Sequence, residues 1–140
     1  IKRIEAIADR KSAIKIRNWD AERFLVEYVS KLPKKTLVYC DPPYFQKADR
    51  LYPNHYSHED HARIATVIQH NLKVPWVVSY DSAPEILFYY QRRRSFLYAL
   101  QYNAARVYKG SEMFIFSDEL TIPERSAIPS IDKTLLTASA

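Results

Sequence analysis

The chain reads as an α/β domain with a mainly parallel sheet and an antiparallel hairpin at its C-terminal end. Three observations predict this. Short apolar runs alternate with amphipathic segments along most of the chain, the pattern of strand–helix units. Two of the runs, TLVYC at 36–40 and VPWVVSYD at 74–81, are nearly unbroken and partly β-branched, as strands buried on both faces are. Finally, FLYALQY and MFIFSD follow one another with only NAARVYKGSE between them, which joins an antiparallel pair. At 140 residues the chain forms one domain with room for a real core.

The elements follow in order. Residues 1–11 suit a short basic helix, and SAIKIRNWD reads as a strand with Ile14 and Ile16 on one side. Asp20 is placed to N-cap the next element. In AERFLVEYVSKL, Phe24, Leu25, Tyr28, Val29 and Leu32 recur at helical spacing, and Pro33 ends the helix. TLVYC is the second strand, and the polar segment 46–56 shows no period. Ser57 opens a helix with Asp60 three residues on, a variant capping box, and Ile64, Ala65, Ile68 and Leu72 form its apolar stripe. VPWVVSYD follows as a strand. Ser82 and Glu85 then make a capping box for a helix to about Tyr90, with Pro84 in its first turn. After the basic turn Arg92–Arg93–Arg94 come the two hairpin strands, and the Ser/Thr/Ala-rich tail from Glu119 carries weak signals.

Composition narrows the function classes. The net charge is +5, compatible with a polyanionic partner without requiring one. Cys40 is the sole cysteine and lies in an apolar strand, so neither an intrachain disulfide nor a cysteine-rich zinc site is available. No apolar run is long enough to span a bilayer and no secretory leader is visible, so the simplest expected location is cytoplasmic. Gly110 is the only glycine, and the chain begins with Ile1 rather than methionine, as a piece of a longer protein would.

The chemistry concentrates at Asp41-Pro42-Pro43-Tyr44. A buried strand runs directly into a carboxylate, two prolines and a tyrosine. The prolines fix φ and donate no N–H, and each pushes the residue before it toward extended geometry. One reading is a proline-rich turn. The other is a stiff bracket holding the Asp41 carboxylate, the Pro42 carbonyl and the Tyr44 ring in one arrangement. Two acceptors and a ring suit a flat group bearing an NH2, such as the exocyclic amine of a nucleobase. Accepting both N–H hydrogens frees the nitrogen lone pair for attack on an electrophile. A paired base would first have to be flipped out of the duplex. Ligands of open α/β sheets bind beyond the carboxyl ends of strands, where Asp20, Asp41 and Asp81 all stand. For Asp20 and Asp81, helix capping is the simpler reading.

VYCDPPYF resembles the catalytic motif of amino-group DNA methyltransferases. The wider pattern is similar to the DNA adenine-N6 methyltransferases that carry this motif in the second half of the chain. LYPNHYSHEDHARIATVI, VPWVVSYDSAPEI, YNAARVYKGSEMFIFS and IKIRNWD resemble further blocks of that family, over roughly residues 12 to 118. The resemblance implies a partial Rossmann-like fold using S-adenosylmethionine as cofactor and double-stranded DNA as partner. It implies that Asp41 and the Pro42 carbonyl accept from the target N6 amine, with Pro43 and Tyr44 completing the catalytic motif. Tyr44 would stack on the flipped adenine, and Asp20 would face the cofactor adenine, with Asp41 also beside the cofactor. Ser79 and Tyr80 would line the base pocket. Arg106 and Lys109 would approach the DNA backbone, and Arg92, Arg93 and Arg94 are either phosphate contacts or a charge cluster at a helix end.

Family members also carry a Gly-rich turn for the cofactor's methionine part, a second acid and a DNA-reading insertion, all before the block near Ile14. With Gly110 alone, this chain has no such turn. It therefore resembles the C-terminal half, residues 1–118 forming a partial catalytic domain and 119–140 a tail. Three expectations follow. The isolated chain does not methylate DNA, its natural complement is an N-terminal half, and TLVYC presents a bare apolar edge. A non-catalytic DNA-binding remnant or split subunit, and an RNA-base methyltransferase, are the alternative readings.

Overall fold

The computed structural model describes residues 2–46, 56–102 and 108–122, and side chains within these except those of 98–102 and 108–111. The order is α1 (Lys2–Ala8), a 3-10 turn (Lys11–Ala13), α2 (Ala21–Glu27), a 3-10 turn (Val29–Lys31), β1 (Val38–Cys40), α3 (His58–Asn71), β2 (Trp76–Asp81), α4 (Pro84–Tyr89), β3 (Arg94–Tyr102) and β4 (Tyr108–Phe116).

The predicted caps of the first two core helices form. The Asp20 side chain accepts from the Arg23 N–H at 2.9 Å and starts α2. Ser57 and Asp60 make the reciprocal capping box of α3, and the Ser57 hydrogen bonds hold the Asp60 carboxyl below its usual range. Leu25 and Val29 are buried, with Phe24, Tyr28 and Leu32 packed against them, so the predicted apolar stripe is real. The single predicted helix is nevertheless two pieces, closing as a 3-10 turn before Pro33. In α3, His61, Ile64, Ala65, Val67 and Ile68 face inward. At α4 the cap shifts by one residue: Ala83 is the N-cap and Pro84 opens the helix, correcting the predicted Ser82–Glu85 box.

The sheet order is β1-β2-β4-β3. Only β1 and β2 run parallel, from Val38↔Trp76 to Cys40↔Val78. The second hairpin strand, β4, inserts antiparallel to both β2 and β3. The expectation of a mainly parallel sheet is therefore wrong for the described residues, whereas the C-terminal hairpin is present. Gly110 sits inside β4 opposite Leu100, not in a turn, so the ladder extends into the segment predicted as a connection.

The other correction is the first strand. Residues 14–19 take no regular structure, and Ile16 is 85% exposed. A strand is completed by a ladder partner, and no strand of the described sheet lies beside this segment. β1 is correspondingly an edge strand, with Leu37 60% and Tyr39 58% exposed, as the bare-edge expectation required.

Strand alternation sorts the sheet into two faces. Trp76, Val78 and Tyr80 of β2 and Met113 and Ile115 of β4 belong to one buried core with residues of α2, α3 and α4. Val77, Ser79 and Asp81 lie on the other face, in register with Phe116, Phe114 and Glu112. Phe96 completes this second face, 5.5 Å from Phe114 and 5.2 Å from Phe116 by ring centroid.

His61 is the exceptional core residue. Its Nδ1 is 2.9 Å from the Tyr80 hydroxyl, while its Nε2 has no partner among the described residues. Burial holds its pKa below the ordinary histidine value of 6.5. The folded state therefore disfavours a proton that the unfolded chain accepts. This contribution to stability is complete above about pH 6.5 and is lost as pH falls below it. Urea midpoints measured from pH 7.5 down to 5.5 should fall, and His61→Leu should flatten that part of the slope. An unchanged slope would refute the assignment.

Candidate functional site

The site is built where β1 and β2 end together. The Cys40↔Val78 register brings Asp41, one residue on, beside Ser79. The Ser79 hydroxyl donates to Asp41 Oδ1 at 2.8 Å. Tyr39 lies 2.8 Å from the same Ser79 oxygen. A serine hydroxyl has one proton, spent here on the carboxylate, so Tyr39 is the donor in the second bond. The result is a chain Tyr39→Ser79→Asp41 that orients one carboxylate oxygen. Asp41 is exposed, and its other oxygen carries no hydrogen bond among the described residues. The Pro42 carbonyl likewise accepts no backbone hydrogen bond among them.

The segment after the prolines is tied down. Tyr44 is half-buried and its hydroxyl donates to Glu112. Asp81 is 7% exposed, and its two oxygens accept from the Phe45 and Gln46 N–H groups, each at 2.8 Å. This overturns the capping reading of Asp81: the acid at the end of β2 holds the loop after the prolines rather than α4. The same reading is correct for Asp20, whose carboxylate caps α2.

A cavity of about 270 Å³ opens beside Asp41. Phe24, Leu25, Val38 and Ile68 give it apolar walls, and Asp41, Pro42 and Tyr56 also line it. Burial raises the Tyr56 pKa. Asp20 does not line the cavity, but the next residue, Ala21, does. Cys40 lines it too, with its thiol pushed up to about 11 by burial, so it is neither thiolate nor nucleophile at neutral pH. No group of metal-ligating side chains occurs among the described residues.

The other predicted site residues separate. Ser79 meets Asp41, but Tyr80 points to the opposite face, fully buried, with its hydroxyl on His61. Adjacent strand residues cannot share a face. Arg92 is exposed. Arg93 binds Asp118 at 2.6 Å and Gln69 at 3.2 Å and lies over the Trp76 ring. Arg94 donates to the carbonyls of Ser117, Asp118 and Leu120. The last two are thus engaged in closing the fold. Lys109 lies in β4 opposite Gln101, with its side chain outside the described atoms, and Arg106 lies outside the described residues.

Sequence reasoning missed Tyr39 and Glu112 and misread Asp81. An acid ending a buried strand was a usable signal for Asp81; Glu112 had none, because its partner Tyr44 is distant in sequence.

Among the described residues no helix is long and apolar enough to cross a membrane. No curated protein matches the chain. The family model of the D12 class N6 adenine-specific DNA methyltransferases matches residues 1–107. That match includes Asp41-Pro42-Pro43-Tyr44, Ser79 and Asp81 and covers most of the chain. The chain with this bracket of acceptors at its strand ends belongs to the D12 class of N6 adenine-specific DNA methyltransferases.

Proposed function

We propose that this chain forms the acceptor side of methyl transfer from S-adenosylmethionine to the N6 amine of an adenine flipped out of DNA. One observation carries the reading: an exposed Asp41 whose carboxylate is oriented by Ser79 and Tyr39, next to a Pro42 carbonyl that accepts no backbone hydrogen bond among the described residues. Asp41 and the Pro42 carbonyl accept the two N6 hydrogens. The nitrogen then moves toward tetrahedral geometry and its lone pair becomes available. The Tyr44 ring stacks on the base, and the exposed Asp41 gives the departing N6 proton a route to solvent. Ser79 acts by holding Asp41.

S-adenosylmethionine, when bound, supplies an electrophilic methyl group. The cavity beside Asp41 suits the planar, apolar part of such a molecule, with Asp20 nearby. Its volume of about 270 Å³ lies just below the usual range for small-molecule sites, so it suits part of the cofactor only. The bare edge of β1 is where a polypeptide supplying the remainder would add, extending the sheet in the manner of strand addition. Its natural complement on this reading is an N-terminal half of the same enzyme. The exposed Arg92, with Arg106 and Lys109, is the candidate set for backbone phosphates; Arg93 and Arg94 contribute by holding that turn.

The amine reading is tested by comparing single-stranded oligonucleotides carrying one adenine or one N6,N6-dimethyladenine, which has no N–H to donate. The chain should prefer adenine by about tenfold, as hydrogen bonds to a charged acceptor supply. Asp41→Ala should erase the preference. Equal affinity of the unaltered chain for both oligonucleotides would refute the reading.

A further inference from the structure

Asp81 and Glu112 stand directly opposite each other in the β2/β4 ladder. Like charges in that relation are unfavourable, and Asp81 is nearly fully buried. Sheet stability alone does not call for two acids there. Both instead reach the same short loop from neighbouring strands. Asp81 takes the Phe45 and Gln46 N–H groups with separate oxygens, which fixes the orientation of that peptide as well as its position. Glu112 takes the Tyr44 hydroxyl, one residue earlier. The two prolines before Tyr44 donate no N–H. The loop's anchorage to the sheet therefore falls on the residues just after them.

We propose that Asp81 and Glu112 form a two-point clamp that sets the Tyr44 ring at the tilt required to stack on an extruded adenine. They are positioning residues, and the proposal rests on Tyr44 being the base platform. Asp81 holds the backbone behind the ring and Glu112 holds the ring's far tip. A ring fixed at both ends pays little ordering entropy when a base arrives, which is the use of a preorganised site.

The test compares binding of the full chain to oligonucleotides with one adenine or one abasic position. The unaltered chain should prefer adenine by about tenfold, the lower part of what base–aromatic stacking provides. Asp81→Asn turns one acceptor into a donor facing an N–H and should abolish the preference. Tyr44→Phe keeps the stacking ring but drops the hydroxyl, and should lower the preference severalfold. Glu112→Ala should do the same, with nothing added in the Tyr44→Phe background, and Glu112→Gln should restore it. Amide exchange at Phe45 and Gln46 should be slow in the unaltered chain and fast in Asp81→Asn.

The clamp is overturned if Tyr44→Phe and Glu112→Ala keep the full preference, an outcome readable even where Asp81→Asn does not fold. It is also overturned if Asp81→Asn keeps the preference with fast amides. Absence of any adenine preference in the unaltered chain would instead overturn the base-platform reading, and the clamp's role with it.

Discussion

The purified 140-residue chain, given labelled S-adenosylmethionine and DNA, should transfer no methyl group above the protein-free control. Transfer requires the donor methyl to be held about 3–3.5 Å from N6 and in line with its lone pair. On the proposed reading the chain provides acceptors for the amine, but a donor needs its own cradle. The resemblance implies a Gly-rich turn in that cradle, and the sole glycine here, Gly110, is committed to β4 opposite Leu100. The cavity beside Asp41 is only about 270 Å³, and beyond β1 the described sheet ends. Since positioning and electrostatics supply most of the rate in such chemistry, losing one side of the geometry should remove activity outright rather than reduce it. Clear incorporation by this chain alone would overturn the prediction.

Ile68→Ala should cost about 3–5 kcal/mol in urea unfolding, the upper part of the range for such truncations. Ile68 is fully buried on α3, belongs to the core shared with the sheet and α2, and lines the cavity beside Asp41. The new void therefore adjoins an existing one, which gives the surroundings little to collapse onto. Domains of this size are stable by roughly 5–15 kcal/mol, so the variant should be close to unfolding. A loss under about 1 kcal/mol would mean that α3 does not pack as described.

Local signals in the sequence were strong where the physics is local. Asp20 and the Ser57–Asp60 pair cap α2 and α3 because capping needs only a side chain within three residues. The stripes on α2 and α3 face inward because helical spacing alone defines a face. The hairpin was legible for the same reason. The strand predicted at residues 12–20 was not, because a strand is completed by a partner and this one has none among the described elements. The parallel character of the sheet was overestimated because alternation of strands and helices does not reveal that β4 inserts between β2 and β3.

By itself the sequence determined the motif: a carboxylate, a carbonyl and a ring on a stretch stiffened by two prolines, set after a short apolar strand. Covalent geometry and local sequence pattern are enough for that. Only the tertiary structure decided what orients the bracket. Ser79 reaches Asp41 and Tyr39 across a parallel strand pair, and Asp81 and Glu112 reach the Tyr44 loop from positions 35 to 68 residues away. It also separated Ser79 from Tyr80 and engaged Arg93 and Arg94 in the fold. Hydrogen bonds between distant residues depend on sheet order and register, and those are properties of the assembled chain rather than of any short stretch within it.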